Sequence, residues 1–347
     1  MNTILNFVQQ NWQRLELGED ISPNQLTCLI LTPRFRASNH LIGLVMLKDK
    51  ANPILVVKIP RQVEASGLAQ EAYNLSKIQK CQRDGFPSIP RLLVYEPFLD
   101  RSILVETALI GHPMDPALIR KELQACCDRT VAWLINLHQS TQIPSQNDQD
   151  WYARLVEQPL DYFEEFFPLI PEEVKLLDDT RRIVKQLRGT DIPLVFEHGD
   201  LSHPNLLLSS DDKLGVLDWE TANVNSLPYC DLFFFLNYAA TSYYRAKSLS
   251  DYVSAFKKTF YEAKSWVSPY VKLYSEKLSI PSEQASLFFV LCWARYSINL
   301  LERMTGEQPN QIINESTANW LRSNRFFALW QYSVNHFGES ELTQKTG

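Results

Sequence analysis

The sequence predicts an α+β protein, with a small antiparallel five-stranded portion at its N-terminal end and a larger, mainly helical portion after it. Two observations predict this division. Five strand-like runs bounded by Pro and polar breaks lie between Leu26 and Thr107, and from Asp115 onward the apolar residues recur at helical spacing. A third observation is the stretch Val195 to Glu220, VFEHGDLSHPNLLLSSDDKLGVLDWE, which places a polar hairpin inside the helical portion. At 347 residues the chain can bury two cores, and the expected lobes are 1–109 and 110–347.

Taken in order, Leu5, Val8, Trp12 and Leu15 recur at helical spacing and predict a short amphipathic helix whose role is packing. The runs Leu26 to Leu31, Leu41 to Leu47 and Ile54 to Ile59 follow, as an antiparallel meander. The third run contains Lys58, and a charge inside a β-branched strand is expensive to bury unless it meets an anion. The helical segment Gln62 to Lys80 offers Glu71, and also Glu64. Arg91 to Tyr95 and Ser102 to Thr107 complete the sheet, and Gly111 is expected to permit a reversal of the chain. Helices are expected over Ala117 to Gln139, Trp151 to Phe166 and Glu172 to Leu187. Four more stretches finish the chain: Leu227 to Ala246, Asp251 to Lys277, Ser282 to Met304 and Glu315 to His336.

The chemistry concentrates in the hairpin. Leu206 to Leu208 and Leu214 to Leu217 flank the turn signal Ser209 to Lys213. With the turn centred on Asp211 and Asp212, Leu206 lies opposite Leu217 and Asn205 opposite Asp218. An amide oxygen and a carboxylate then converge at the open end, which suits Mg²⁺ when phosphate supplies further ligands. Asp200 ends His198-Gly199-Asp200, five residues before Asn205, and is placed to take a proton from a hydroxyl. An acid, then an Asn, then an Asp across a hairpin is the layout of kinase catalytic loops.

His198-Gly199-Asp200 with Asn205, followed by Asp218-Trp219-Glu220, resembles the signature of the aminoglycoside phosphotransferase and choline kinase-like family. The resemblance spans about Leu26 to Leu236 and implies a protein-kinase-like two-lobed fold and transfer of phosphate from ATP (or GTP) with Mg²⁺. It implies Asp200 as catalytic base, Asn205 and Asp218 as metal ligands, and Lys58 paired with Glu71 to hold the α- and β-phosphates. By resemblance alone, backbone groups near Thr107 to Leu109 contact the purine ring. His138 and His198 read as buried hydrogen-bonding residues, and Asp231 as a brace for the catalytic loop through backbone N–H groups. The sequence departs from the usual pattern between its first two strands, where no glycine occurs from Glu19 to Ile42 and where Arg34 and Arg36 could clamp phosphate instead.

Composition excludes several other classes. A net charge of −6 without a basic stripe argues against nucleic acid. The most apolar window, Ala285 to Leu301, is shorter than a membrane span and carries Arg295 and Asn299, so it reads as a buried helix. The N-terminus lacks the pattern of a signal peptide, and the six cysteines lack zinc spacing, so a reduced, cytoplasmic protein is expected. The short interval between Asp218 and Asp231 leaves no room for the peptide-docking segment of a protein kinase, so the expected acceptor is a hydroxyl of a small molecule. Aminoglycosides, amino alcohols, sugars and homoserine-like compounds all remain open. Acidic pairs such as Glu164-Glu165, Glu172-Glu173 and Asp178-Asp179, with nearby aromatics, would suit a cationic acceptor, although a solvated helix face and a packed core explain them more simply. The alternative from another class is a catalytically degenerate kinase-like binding or regulatory protein, for which the glycine-free loop argues.

Overall fold

Asn2–Gln10 (α1), Leu26–Leu31 (β1), His40–Leu47 (β2) and Pro53–Pro60 (β3) appear in that order, followed by Gly67–Ile78 (α2), Leu92–Phe98 (β4) and Arg101–Thr107 (β5). The strands form one antiparallel sheet in the order β1-β2-β3-β5-β4. Period-2 alternation decides what each face carries. Leu55, Val57, Ile103 and Val105 point to one face and pack under Ile4, Phe7 and Val8 of α1. On the other face Leu104 packs against Leu68 and Ala72 of α2, and Lys58 and Glu106 share that side. This is the architecture of a computed structural model that describes residues 2–15, 17, 21–31, 40–61, 67–81, 86–263, 265–305, 312–340 and 342. Arg34, Arg36 and the glycine-free loop around them lie outside the described residues, as does Glu64.

The chain divides into two compact units, Met1–Met114 with Pro204–Asn223, and Asp115–His203 with Val224–Gly347. The first therefore holds the five-stranded sheet together with the hairpin Leu206–Leu208/Leu214–Val216, whose first strand also pairs with His112–Pro113. Gly111 is needed here for a different reason from the one expected. It has no left-handed φ, but a Cβ at that position would sit 2.8 Å from the carbonyl oxygen of Leu208, so glycine allows the backbone to approach the hairpin.

The second unit is built from helices Pro116–Thr141 (α3), Gln158–Phe166 (α4), Pro171–Val184 (α5), Cys230–Tyr243 (α6), Leu249–Phe260 (α7), Ser268–Lys277 (α8), Ala285–Thr305 (α9), Glu315–Arg322 (α10) and Arg325–Asn335 (α11). Asp115 caps α3 by accepting from the N–H of Leu118 at 2.8 Å. Two expected stretches are each broken in two. Pro269, in the first turn of α8, starts a new helix because proline lacks the N–H an interior position must donate. Asn324 accepts from the N–H of Phe326 at 2.9 Å and so caps α11. Helix α9 is buried along most of its length, as its apolar run implies. Among the described residues no helix is long and apolar enough to cross a membrane. All six cysteines are free, and Cys126 and Cys127 are packed in α3, where burial raises both thiol pKa values.

Candidate active site

In the first unit Lys58 lies between two buried carboxylates. Its Nζ is 2.5 Å from Glu71 Oε1, on α2, and 3.1 Å from Glu106 Oε1, on β5. Burial of the ammonium works against its charge, yet Glu106 and Glu71 outweigh it and hold Lys58 above its ordinary pKa. Glu106 is 2% exposed, and burial pushes its carboxyl up to about 7, with Lys58 opposing the shift and Glu71 adding to it. Its Oε2 has no hydrogen-bond partner among the described residues. Sequence reasoning selected Lys58 and Glu71 and passed over Glu106. The signal was present, because Glu106 ends the apolar run Ile103 to Val105 and is as costly to bury alone as Lys58.

Helix α2 also holds the segment after the hairpin. Asn74 Nδ2 donates to the carbonyls of Trp219 and Ala222, each at 2.8 Å, while the N–H of Trp219 reaches Glu71 Oε1 at 3.4 Å. Trp219 is fully buried and its Nε1 donates to Val216 O at 3.1 Å. The same carboxylate, Glu71, thus touches both Lys58 and the backbone beside Asp218. Asn74, buried in α2, was not singled out from sequence because asparagines are ordinarily exposed.

The register of the hairpin corrects the expectation. Leu206 pairs with Val216 rather than Leu217, so Asn205 lies opposite Leu217, whose N–H donates to Asn205 O at 2.9 Å. The cause is the turn. Ser209 N–H donates to Lys213 O at 2.9 Å, Ser209 Oγ accepts from Lys213 N–H at 3.0 Å, and Asp212 takes a left-handed φ of 62°. That is a three-residue loop ending in a left-handed residue, not a two-residue turn. A one-residue slip would ordinarily send Asp218 to the opposite face. Asp218, however, has a left-handed φ of 66° of its own, which ends the strand alternation, and its charge acts on Lys58, Glu106 and His40.

Thr107 ends β5. Its hydroxyl accepts from Arg91 N–H at 2.8 Å and its own N–H donates to Arg91 O at 2.9 Å, while Ala108 N–H donates to Ile54 O at 3.1 Å. Leu109, the next residue, lies beyond the strand, and its N–H has no partner among the described residues. A cavity of about 200 Å³ adjoins Thr107 and Leu109 on the side of Ile78, Phe86 and Ile89.

Asp200 belongs to the second unit, on the loop after strand Pro193–Glu197. That loop is held from below. Asp231, fully buried at the start of α6, accepts from His198 N–H at 2.7 Å and Gly199 N–H at 2.9 Å, and lies 3.7 Å from His138 Nε2. Burial alone would raise its pKa, but His138, His198 and the loop N–H together keep it below the ordinary carboxylate range. His138 Nδ1 in turn meets the Tyr274 hydroxyl at 2.6 Å. Gly199 adopts φ 80°, and the N–H of Asp200 donates to His198 Nδ1 at 3.2 Å, so both histidines act as hydrogen-bonding supports. Ser202 Oγ donates to Asp200 Oδ1 at 3.3 Å. Just upstream, Arg295 from α9 bonds Glu197 Oε2 at 3.1 Å, and Ser226 donates to the same oxygen.

One member of each acidic pair is engaged with a neighbouring side chain. Glu164 meets Arg181 at 2.5 Å, Glu173 meets Arg322 at 2.8 Å and caps α5 at Ile170 N–H, and Asp179 is shared by Lys175 and Arg182.

A five-stranded antiparallel sheet with its helix, followed by a helical unit carrying the loop of Asp200, is a protein-kinase-like arrangement of elements. The profile of the phosphotransferase enzyme family (APH) matches residues 45–267, and the chain belongs to that family. Among solved structures it is similar to the choline kinase LicA from Streptococcus pneumoniae, with 12% identity, a TM-score of 0.54, and coverage of 97% of this chain and 99% of that one. The AMP complex of LicA gives a TM-score of 0.52 at 12% identity, covering 96% and 97%. The aminoglycoside phosphotransferase APH(3'')-Id from Streptomyces rimosus, in complex with ADP and streptomycin, gives 0.46 at 12% identity, covering 96% and 98%. No curated protein sequence matches at a significant level.

Proposed function

We propose that the protein is an ATP-dependent phosphotransferase that moves the γ-phosphoryl group to a hydroxyl of a small molecule. The observation that carries this reading is the engaged Lys58–Glu71 pair in the same unit as Asn205 and Asp218, with Asp200 five residues upstream of Asn205 on a braced loop. Lys58 then holds the α- and β-phosphates, and the free N–H of Leu109 offers a hydrogen bond to the purine beside Thr107. Arg34 and Arg36 are proposed to add charge at the triphosphate.

The donor set suits Mg²⁺. Asn205 and Asp218 would supply only oxygen, one amide and one carboxylate. That is the pattern for an ion that takes one or two protein ligands and completes its shell with phosphate and water. When bound, Mg²⁺ neutralises charge on the phosphates. Asp200 accepts the proton of the acceptor hydroxyl as that oxygen bonds to phosphorus. The bond from the γ-phosphorus to the bridging oxygen breaks and ADP leaves. The first unit serves nucleotide and the helical unit serves acceptor.

Thermal stabilisation by ATP, GTP and a non-hydrolysable analogue, with and without Mg²⁺, tests the nucleotide site. A Mg²⁺-dependent shift in the wild type that weakens in Asp218→Ala is the expected result. Asp200→Ala should keep that shift while turnover falls by about 10²–10⁴-fold. No shift at millimolar nucleotide would favour the degenerate binding protein, with the glycine-free loop as its cause.

A further inference from the structure

A cavity of about 540 Å³ lies wholly in the helical unit and is lined by cations. Arg120 comes from α3, Arg245 and Lys247 from the segment after α6, and Arg325 from the start of α11. Among the described residues, none of the four is in an ion pair with a carboxylate. Arg325 instead bonds the Tyr238 hydroxyl and packs over the rings of Tyr238 and Tyr252, at 4.6 and 5.2 Å, which fixes the guanidinium without neutralising it. Arg245 is held at a left-handed φ of 57°.

The acids near the cavity are already engaged. Asp115 caps α3, and Asp251 accepts from the N–H groups of Lys247 and Ser248 at 3.2 and 3.0 Å. Asp200, which accepts from Ser202, is a further carboxylate whose charge acts on Tyr238. His203, three residues after Asp200, packs edge-on against Tyr238 at 5.8 Å and lines the same cavity. The cavity wall therefore runs from the neighbourhood of Asp200, through Tyr238, to Arg325.

We propose that this cavity is the acceptor site and that the acceptor is an anionic hydroxyl compound, one carrying a carboxylate or a phosphate whose charge is met by Arg325, Arg245, Arg120 and Lys247. This rests on the phosphotransferase reading, since it takes Asp200 as the group that receives the acceptor proton. A polycationic acceptor would meet four like charges along one cavity wall, whereas an anion gains charge-assisted hydrogen bonds there. The volume falls within the usual range of small-molecule sites, about 300–1,000 Å³. The buried Ser242 hydroxyl lines the cavity, and Thr241, whose hydroxyl donates to Tyr238 O at 2.9 Å, keeps acceptor capacity there for a polyol body. The reaction balances as before: the acceptor oxygen gains the phosphoryl group, its proton goes to Asp200, and ADP leaves, so the product carries one more phosphate than the acceptor.

The test uses two matched series on the full chain: glucose, glucosamine, glucuronate and glucose 6-phosphate, and glycerol, glycerate and glycerol 3-phosphate. Binding is followed calorimetrically with a non-hydrolysable Mg²⁺–nucleotide present, and turnover separately with MgATP. At least one anionic member should bind about tenfold or more tightly than its neutral and cationic counterparts, with affinity falling as salt rises. Carboxylate and phosphate members report separately, which assigns the anion. Arg325→Gln and the more exposed Arg245→Gln should each weaken that member by about tenfold or more, with the nucleotide shift showing that the variants are folded. Equal or tighter binding of neutral or cationic members, or no binding by any anion while nucleotide binds, overturns the proposal. If anions bind the cavity and nucleotide does not bind at all, the anion site stands and the phosphotransferase reading falls. Failure of both ligands sinks both.

Discussion

Glu106 and Asp231 are both carboxylates removed from water, one in each unit, and their environments drive them in opposite directions. Glu106 shares a single ammonium with Glu71, feels Asp218, and leaves one oxygen without a partner, so its carboxyl is pushed up to about 7. Asp231 accepts two backbone N–H groups and lies against His138, so it is held below the ordinary range despite complete burial. Burial is common to both, and the balance of donors to acceptors decides the charge. The first unit keeps a carboxyl that titrates near neutrality beside the candidate phosphate-binding lysine, while the second spends a permanent anion on holding the loop of Asp200.

Replacing each carboxylate by its amide should separate the two most sharply. Asp231→Asn puts an NH₂ against a backbone N–H and removes the charge facing His138, and a loss of about 3–5 kcal/mol is expected at pH 8. Urea unfolding measures it, and a cost below about 1 kcal/mol would contradict the bracing role. At Glu106 the sign reverses. A carboxyl raised from 4.5 to about 7 stabilises the folded state fully below pH 4.5, and that contribution is lost as pH rises through about 7. Glu106→Gln should therefore match the wild type near pH 4.5 and exceed it by up to about 3 kcal/mol at pH 8. A pH-independent difference would show that Glu106 is not displaced upward. The smallest effect is a packing control, Gly111→Ala, in which the new Cβ meets Leu208 O. It should cost about 1–2 kcal/mol at every pH, because no charge changes. A melting temperature equal to that of the wild type would mean the hairpin moves aside freely.

Lys58 was legible as a charge set in a β-branched run, while its pairing with Glu71 rather than Glu64, and the brace at Asp231, were legible through the family pattern they resemble. Glu106 carries the same signal and was missed because Lys58 already had a partner in Glu71, and nothing in a linear sequence says that one ammonium serves two carboxylates. The hairpin register was missed by one residue because Ser209, by bonding Lys213 through both its N–H and its hydroxyl, selects a loop length that composition alone leaves open.

The sequence by itself determined the five strands of the sheet and the order of the main elements, because these follow from local periodicity and turn composition, and it nominated Lys58 as a buried charge in need of a partner. Only the tertiary structure decided that the hairpin 204–223 joins the unit of the sheet, and that Arg120, Arg245, Lys247 and Arg325 line one cavity. The four basic residues lie on three separate stretches of chain, up to 205 positions apart between Arg120 and Arg325. Their convergence depends on how helices pack, and packing brings together residues whose separation along the chain carries no periodic signature.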